Sequence, residues 1–231
     1  ACTGKPAPLY FALWAIKAAG IPLKRRVRLL FGCDEEMGWG CMEHYLKNGE
    51  IPHLAFSPDA QYPVVNSEKG ILQAVFHAAF PSKISLTAGT RANVVPGHAE
   101  AYLPVGAKEV KKAAEHVSEI SGITFEVSDH RGGAHVVATG RDAHASTPDV
   151  GKNAILGMLA LLSELKLDGP DADMAKKLSN AFKFDMHGES LGLDREDASG
   201  RLTMNAGVLQ WDENGISSLE IDIRYPISLD H

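Results

Sequence analysis

Cysteine is scarce in this chain of 231 residues. Cys2, Cys33 and Cys41 form an odd set with no Cys-x-x-Cys spacing, which argues against a disulfide framework or a zinc ribbon and fits a reducing compartment. Long apolar runs are missing too. No stretch of about 18 apolar residues occurs, and the start lacks a charged region leading into an apolar one and a cleavage site, so neither a membrane span nor a signal peptide is read. There is no basic excess either: 23 Lys and Arg stand against 29 Asp and Glu, a formal charge of −6. Neither nucleic acid nor a membrane is therefore expected as partner, and the chain reads as cytoplasmic. The single basic cluster, Lys24, Arg25, Arg26 and Arg28, suits a solvated strand entrance. Several motifs are also absent: His-Glu-x-x-His, the Gly-x-Ser-x-Gly elbow, the phosphate-binding Gly-x-x-x-x-Gly-Lys run and a dinucleotide fingerprint after a strand.

What is present is an ordinary globular composition, 45% apolar and 23% charged, enough for one large domain or two small ones. Leu9, Ala12, Leu13, Ile16 and Ala19 recur at helical spacing before Gly20-Ile-Pro22, which predicts a first helix and its stop. A strand at Val27 to Phe31, a helix at Met37 to Lys47 and a short strand at His53 to Phe56 follow. This αβαβ succession predicts a parallel sheet with helices on its faces. Lys69 to Phe80 reads as a further strand or an element leaving the sheet, and Phe80-Pro-Ser82 marks a boundary between residues 1–80 and 81–231.

Beyond that boundary the expected strands are Ile84 to Ala88, His98 to Leu103, Thr124 to Val127 and Ala134 to Thr139, with helices at Ala107 to Ile120 and Lys152 to Leu165. The order β, α, β, β, α is that of a split βαβ unit, a helix layer on an antiparallel sheet. A second such unit begins with a helix at Ala172 to Phe182 and strands at Thr203 to Leu209 and Ser218 to Arg224. Between them, residues 184–201 read as an irregular excursion.

Candidate chemistry starts where the Val27 to Phe31 strand ends in three acids, Asp34, Glu35 and Glu36. The carboxyl end of a strand is where an open α/β sheet presents its site. One acid there can ligate a metal while its neighbour takes a proton from the water that the metal polarises. Asp59 repeats the arrangement one strand later. The alternative is that Asp34 caps a helix and Glu35 and Glu36 favour its dipole. His144, between a strand and a helix, is either a solvent-side loop residue or an oxyanion donor reaching into a cleft. Asn93 and Arg224 carry the same two readings, a turn residue or a donor for Asn93, a solvated strand residue or a donor for Arg224.

Three ordered segments carry a resemblance: Phe31-Gly-Cys-Asp-Glu-Glu-Met-Gly-Trp-Gly-Cys41, Ser57-Pro-Asp-Ala-Gln-Tyr-Pro-Val-Val-Asn-Ser-Glu-Lys-Gly70, and Gly140-Arg-Asp-Ala-His-Ala-Ser-Thr-Pro-Asp-Val-Gly-Lys-Asn-Ala154. Together they resemble the di-zinc exopeptidase and amidohydrolase family of carnosinases, bacterial Xaa-His dipeptidases, desuccinylases and aminoacylases. The second segment looks most like the Xaa-His dipeptidase branch. The resemblance implies an α/β fold, in which residues 1–80 are part of the catalytic domain with its parallel sheet. Residues 81–231 would be an α+β lid of two ferredoxin-like, sandwich-like halves, the second incomplete. It further implies dipeptide hydrolysis by a zinc-bound hydroxide, with two zinc ions as cofactor. Glu35 would be the general base, Glu36 and Asp59 metal ligands, and His144, Asn93 and Arg224 lid residues that grip the substrate carboxylate or the oxyanion. The expected partner is a small peptide, and the intact enzyme is expected to be a monomer, with a dimer as the alternative.

The family's remaining ligands have no counterpart at the expected places. The turn that should carry a bridging Asp reads Ala1-Cys-Thr-Gly-Lys-Pro6, and His231 lies too close behind Arg224 to serve as the last His ligand. The chain is therefore expected to be an internal fragment of a dipeptidase. The alternatives are an N-acyl amino acid deacylase or desuccinylase, and a non-catalytic degenerate homologue or binding domain. Two carboxylates are a poor site for a zinc pair. Isothermal titration of zinc into this polypeptide, followed by a dipeptide hydrolysis assay, is expected to show weak binding and little turnover. Micromolar or tighter binding of two ions with turnover would overturn that expectation.

Overall fold

The computed structural model describes residues 6–33, 38–57 and 65–229. Two compact units divide the chain, residues 1–66 and 67–231. The division falls before the strand at residues 70–79 rather than after it.

In the first unit the expected helices form. Helix α1 spans Pro6–Ala18, with Leu9, Leu13 and Ile16 as its half-buried stripe and Gly20 in the left-handed region at φ +66° after its end. Tyr10, Phe11 and Trp14 lie on its other sides, each more than half exposed. Helix α2 spans Gly40–Asn48. Arg28 donates to the Tyr45 hydroxyl at 2.6 Å and to Glu50 Oε2 at 2.9 Å, and Arg26 pairs with the same carboxylate. Part of the basic cluster is thus used in tying the two flanks of α2 together. Arg26 first, then Arg28, hold the exposed Glu50 carboxyl below its usual range.

The expected strands Val27 to Phe31 and His53 to Phe56 do not form. No strand is assigned among the described residues of this unit, and none of these residues is buried. A parallel strand needs hydrogen-bonded neighbours and a helix layer on each face. These segments have no strand neighbour, so Val27, Phe31, Leu54 and Phe56 stand exposed on unpaired backbone.

The second unit is built on a single antiparallel sheet of seven strands in the order β1-β11-β10-β2-β4-β6-β5. The strands are β1 Gly70–Ala79, β2 Ser85–Ala88, β4 His98–Leu103, β5 Thr124–His130, β6 Gly133–Thr139, β10 Thr203–Asp212 and β11 Gly215–Tyr225. Two short ladders lie outside it: β3 Val94–Val95 with β7 Ala143–His144, and β8 Glu196–Asp197 with β9 Gly200–Arg201. Alternation makes one face of the sheet apolar. Ala99, Ala101 and Leu103 of β4 and Ala134, Val136 and Ala138 of β6 are buried, while His98 and Tyr102 between them are exposed.

Helix α3, Ala107–Ser121, lays Val110, Ala114 and Val117 on that face. Helix α4, Ala154–Glu164, is buried almost throughout, and α5, Gly169–Phe182, packs beside it through Ala175 and Phe182. The expected β, α, β, β, α order is present as β4, α3, β5, β6, α4. The two expected halves share one sheet, joined where Leu209, Gln210 and Trp211 pair with Ala88, Thr87 and Leu86. Mixed helices and sheet bear out the α/β class; every ladder among the described residues is antiparallel. Among them, no helix is long and apolar enough to cross a membrane.

Amide exchange resists to the extent that hydrogen bonds are buried in a cooperative core. On this polypeptide the amides of α1 and α2 are expected to exchange at least about a hundredfold faster than those of α4, read by hydrogen–deuterium exchange mass spectrometry. Comparable protection of the two sets would contradict the described burial.

Candidate active site

Two loops at one end of the sheet are laced together. Val94 pairs with His144 and Val95 with Ala143, and Ala145 N–H donates to the Asn93 carbonyl at 2.9 Å. Gly97 N–H donates to Asp142 Oδ1 at 2.6 Å, Gly140 N–H to Gly97 O at 2.8 Å and Ala154 N–H to Pro96 O at 2.7 Å. Asn93 and His144, far apart in sequence, are thereby neighbours.

The ring of His144 is oriented locally. Its Nδ1 accepts the Ser146 amide N–H at 3.2 Å and lies 2.6 Å from the Ser146 hydroxyl. A nitrogen that accepts an N–H carries no proton of its own, so the neutral imidazole has its proton on Nε2. The exposed ring therefore offers Nε2–H as a donor, which is what the oxyanion reading requires.

A buried amide pair holds these loops from beneath. Asn205 in β10 donates to Ala92 O and Val94 O, both at 2.8 Å, on either side of Asn93. It accepts from Asn153 Nδ2 at 3.0 Å, and Asn153 also donates to Ala206 O at 2.9 Å. The Asn153 oxygen caps α4, accepting from Ile155 N at 2.9 Å and Leu156 N at 3.3 Å. The backbone at Ala92 crosses β10 so closely that a Cβ on Gly207 would stand 2.4 Å from Ala92 O, so only glycine fits there.

Arg224 belongs to the same end of the sheet. Its neighbour along the strand face, Asp222, is the register partner of Asn205 in β10 and of Gln73 in β1. Arg224 is not a solvated strand residue. Its side chain is 16% exposed and donates from Nε to Asp222 Oδ1 at 2.6 Å, and Asp222 is fully buried. Thr203, opposite Arg224 in the register, keeps a buried hydroxyl without a partner among the described residues. Glu35, Glu36 and Asp59 lie outside the described residues. Among the described residues no group of three or more His, Cys, Asp and Glu side chains is placed to hold a metal, so that part of the chain does not by itself fit a zinc pair.

Sequence reasoning missed Asn205, Asn153, Asp222 and Gln73. It also read residues 184–201 only as irregular. They are ordered by charge: Arg201 donates to Asp194 at 2.8 and 3.0 Å and pairs with Glu189, and Arg201 holds the half-buried Asp194 carboxyl below its usual range. His187 bridges Leu202 O at 2.7 Å and Asp149 Oδ1 at 3.0 Å, joining this excursion to the segment that follows His144.

Asp197 accepts the Ser199 hydroxyl at 2.6 Å, the Ser199 amide at 2.7 Å and the Ser228 amide at 2.8 Å. The Ser199 hydroxyl, with these amides, outweighs partial desolvation and brings the Asp197 pKa from 3.8 down to about 2. A depressed carboxyl stabilises the fold above its ordinary pKa, and that contribution is lost as pH falls through the folded value.

Residues 129–213 match a family model described as a peptidase dimerisation domain. The match runs from the end of β5 through β10 and takes in the His144 loop, Asn153 and Asn205. Over 95% of its length the chain is 34% identical to a Bacillus subtilis protein named "Putative dipeptidase YtjP", covering 50% of it. Over 94% of its length it is 31% and 30% identical to two Staphylococcus aureus proteins also named "Putative dipeptidase", covering 49% of each. The chain spans about half the length of the curated relatives it matches.

In an acid titration followed by NMR, the Ser228 and Ser199 amides are expected to stay protected above about pH 4 and to lose protection towards about pH 2. Loss already complete near neutrality would show that Asp197 is not their acceptor.

Proposed function

We propose, from its membership of the peptidase family that the dimerisation domain marks, that this chain is part of a metal-dependent dipeptidase of the Xaa-His type. The resemblance read from the three motifs is borne out by the match at residues 129–213 and by relatives that carry the dipeptidase name. The observation that carries the functional reading is the paired presentation of Asn93 and His144 by the β3–β7 ladder, with Nε2–H as the donor left to His144.

In this reading the unit of residues 67–231 is the lid and residues 1–66 are part of the catalytic domain, the boundary lying before β1 instead of at residue 80. Glu35 takes a proton from the attacking water and returns it to the leaving amine. Glu36 and Asp59 would be ligands of the zinc pair. When bound, the metal supplies polarisation of the water and of the scissile carbonyl. His144 and Asn93 donate to the oxygen on which negative charge develops, a role worth most where water is excluded. Arg224 binds the substrate carboxylate as a planar, charge-assisted pair.

Full-length protein supplied with zinc is expected to hydrolyse Xaa-His dipeptides. Glu35→Gln should lower kcat by at least about a thousandfold, and His144→Ala by about a hundredfold or more. Preference for N-acyl amino acids would make the protein a deacylase instead, and hydrolysis of neither substrate class would leave a non-catalytic protein.

A further inference from the structure

Asp222 carries a carboxylate with no solvent exposure within β11. A buried charge persists only where donors compensate it. Two elements supply them: Arg224 from the same strand, through Nε at 2.6 Å and Nη2 at 3.4 Å, and Gln73 Nε2 from β1 at 3.0 Å. One edge of the Arg224 guanidinium is thus consumed. The opposite edge, Nη1 with the outer hydrogen of Nη2, makes no bond to a described residue, and the side chain keeps some exposure to solvent. Asp222 is also the register partner of Asn205 in β10, so Arg224 and the loop of Asn93 are held at neighbouring positions of one ladder.

We propose that Asp222 and Gln73 are positioning residues that hold Arg224 in one orientation, so that its free edge receives the carboxylate at the C-terminal end of the substrate. A guanidinium held in this way favours a planar anion over a neutral end group. The site therefore selects a dipeptide over the same dipeptide with an amidated C-terminus. This inference rests on the dipeptidase reading.

The test is the ratio of kcat/KM for a dipeptide to that for its C-terminal amide, measured on the full-length protein. Asp222→Asn keeps the size of the side chain and removes the charge. It is expected to lower the ratio about tenfold, chiefly through KM for the dipeptide, and Gln73→Leu to lower it about threefold. If Asp222→Asn does not fold, Gln73→Leu carries the test. An unchanged ratio in the folded variants, or an equal fall for both substrates through kcat, overturns the positioning role. A wild type that hydrolyses neither substrate overturns the dipeptidase reading instead. The holder is then read from the Arg224 Nε–H resonance. Slow solvent exchange that speeds up at least about tenfold in Asp222→Asn supports it, and fast exchange in the wild type overturns it.

Discussion

The arrangement at the functional end of the second unit depends on a buried pair of amides, Asn153 and Asn205. Every polar atom of the pair is used: each nitrogen donates twice, the Asn205 oxygen accepts once and the Asn153 oxygen caps α4. Leaving one of these groups without its partner costs about 1–3 kcal/mol, so such a network tolerates one geometry and few others. The start of α4, the first part of β10 and the loop before β3 are joined at this point. The pairing of β3 with β7 follows from it, and with that pairing the placement of His144 beside Asn93. The polar row continues across the ladder to Asp222 and Gln73, which brings Arg224 into the same frame.

Much of the second unit was legible because alternation speaks directly of burial. His98 to Leu103 shows period two, and β4 has those bounds; the apolar stripe of 107–120 became α3 with its buried Val110, Ala114 and Val117. In the first unit the same signal failed for Val27 to Phe31. A β-rich run states that a segment suits an extended, half-covered backbone, not that a neighbour exists to pair with it. The helices there, whose hydrogen bonds are internal to the segment, needed no such neighbour.

For the candidate site, the motif segments pointed to Asn93 and His144 because loop residues between elements stand out. Asn205 and Asp222 were overlooked because a polar residue within a strand reads alike whether it faces solvent or the interior. The distinguishing signal was present: Asn205 interrupts Thr203 to Leu209, where neighbours on both sides are buried. Arg224 was open to a solvated reading for the same reason, since its alternation with Asp222 gives the spacing without the direction. The carboxylates Glu35, Glu36 and Asp59 rest on resemblance, as they lie outside the described residues.

The pairing of β10 with β2 has a mechanical consequence. It turns what would be two small sheets into a single seven-stranded plate with backbone hydrogen bonds from one edge to the other. A displacement of one strand is passed to its neighbours through those bonds. Arg224 on β11 and the Asn93–His144 pair attached through β10 are therefore coupled through one continuous ladder. Their spacing is a property of the plate, set when it folds and unaltered by any swing of the plate as a whole.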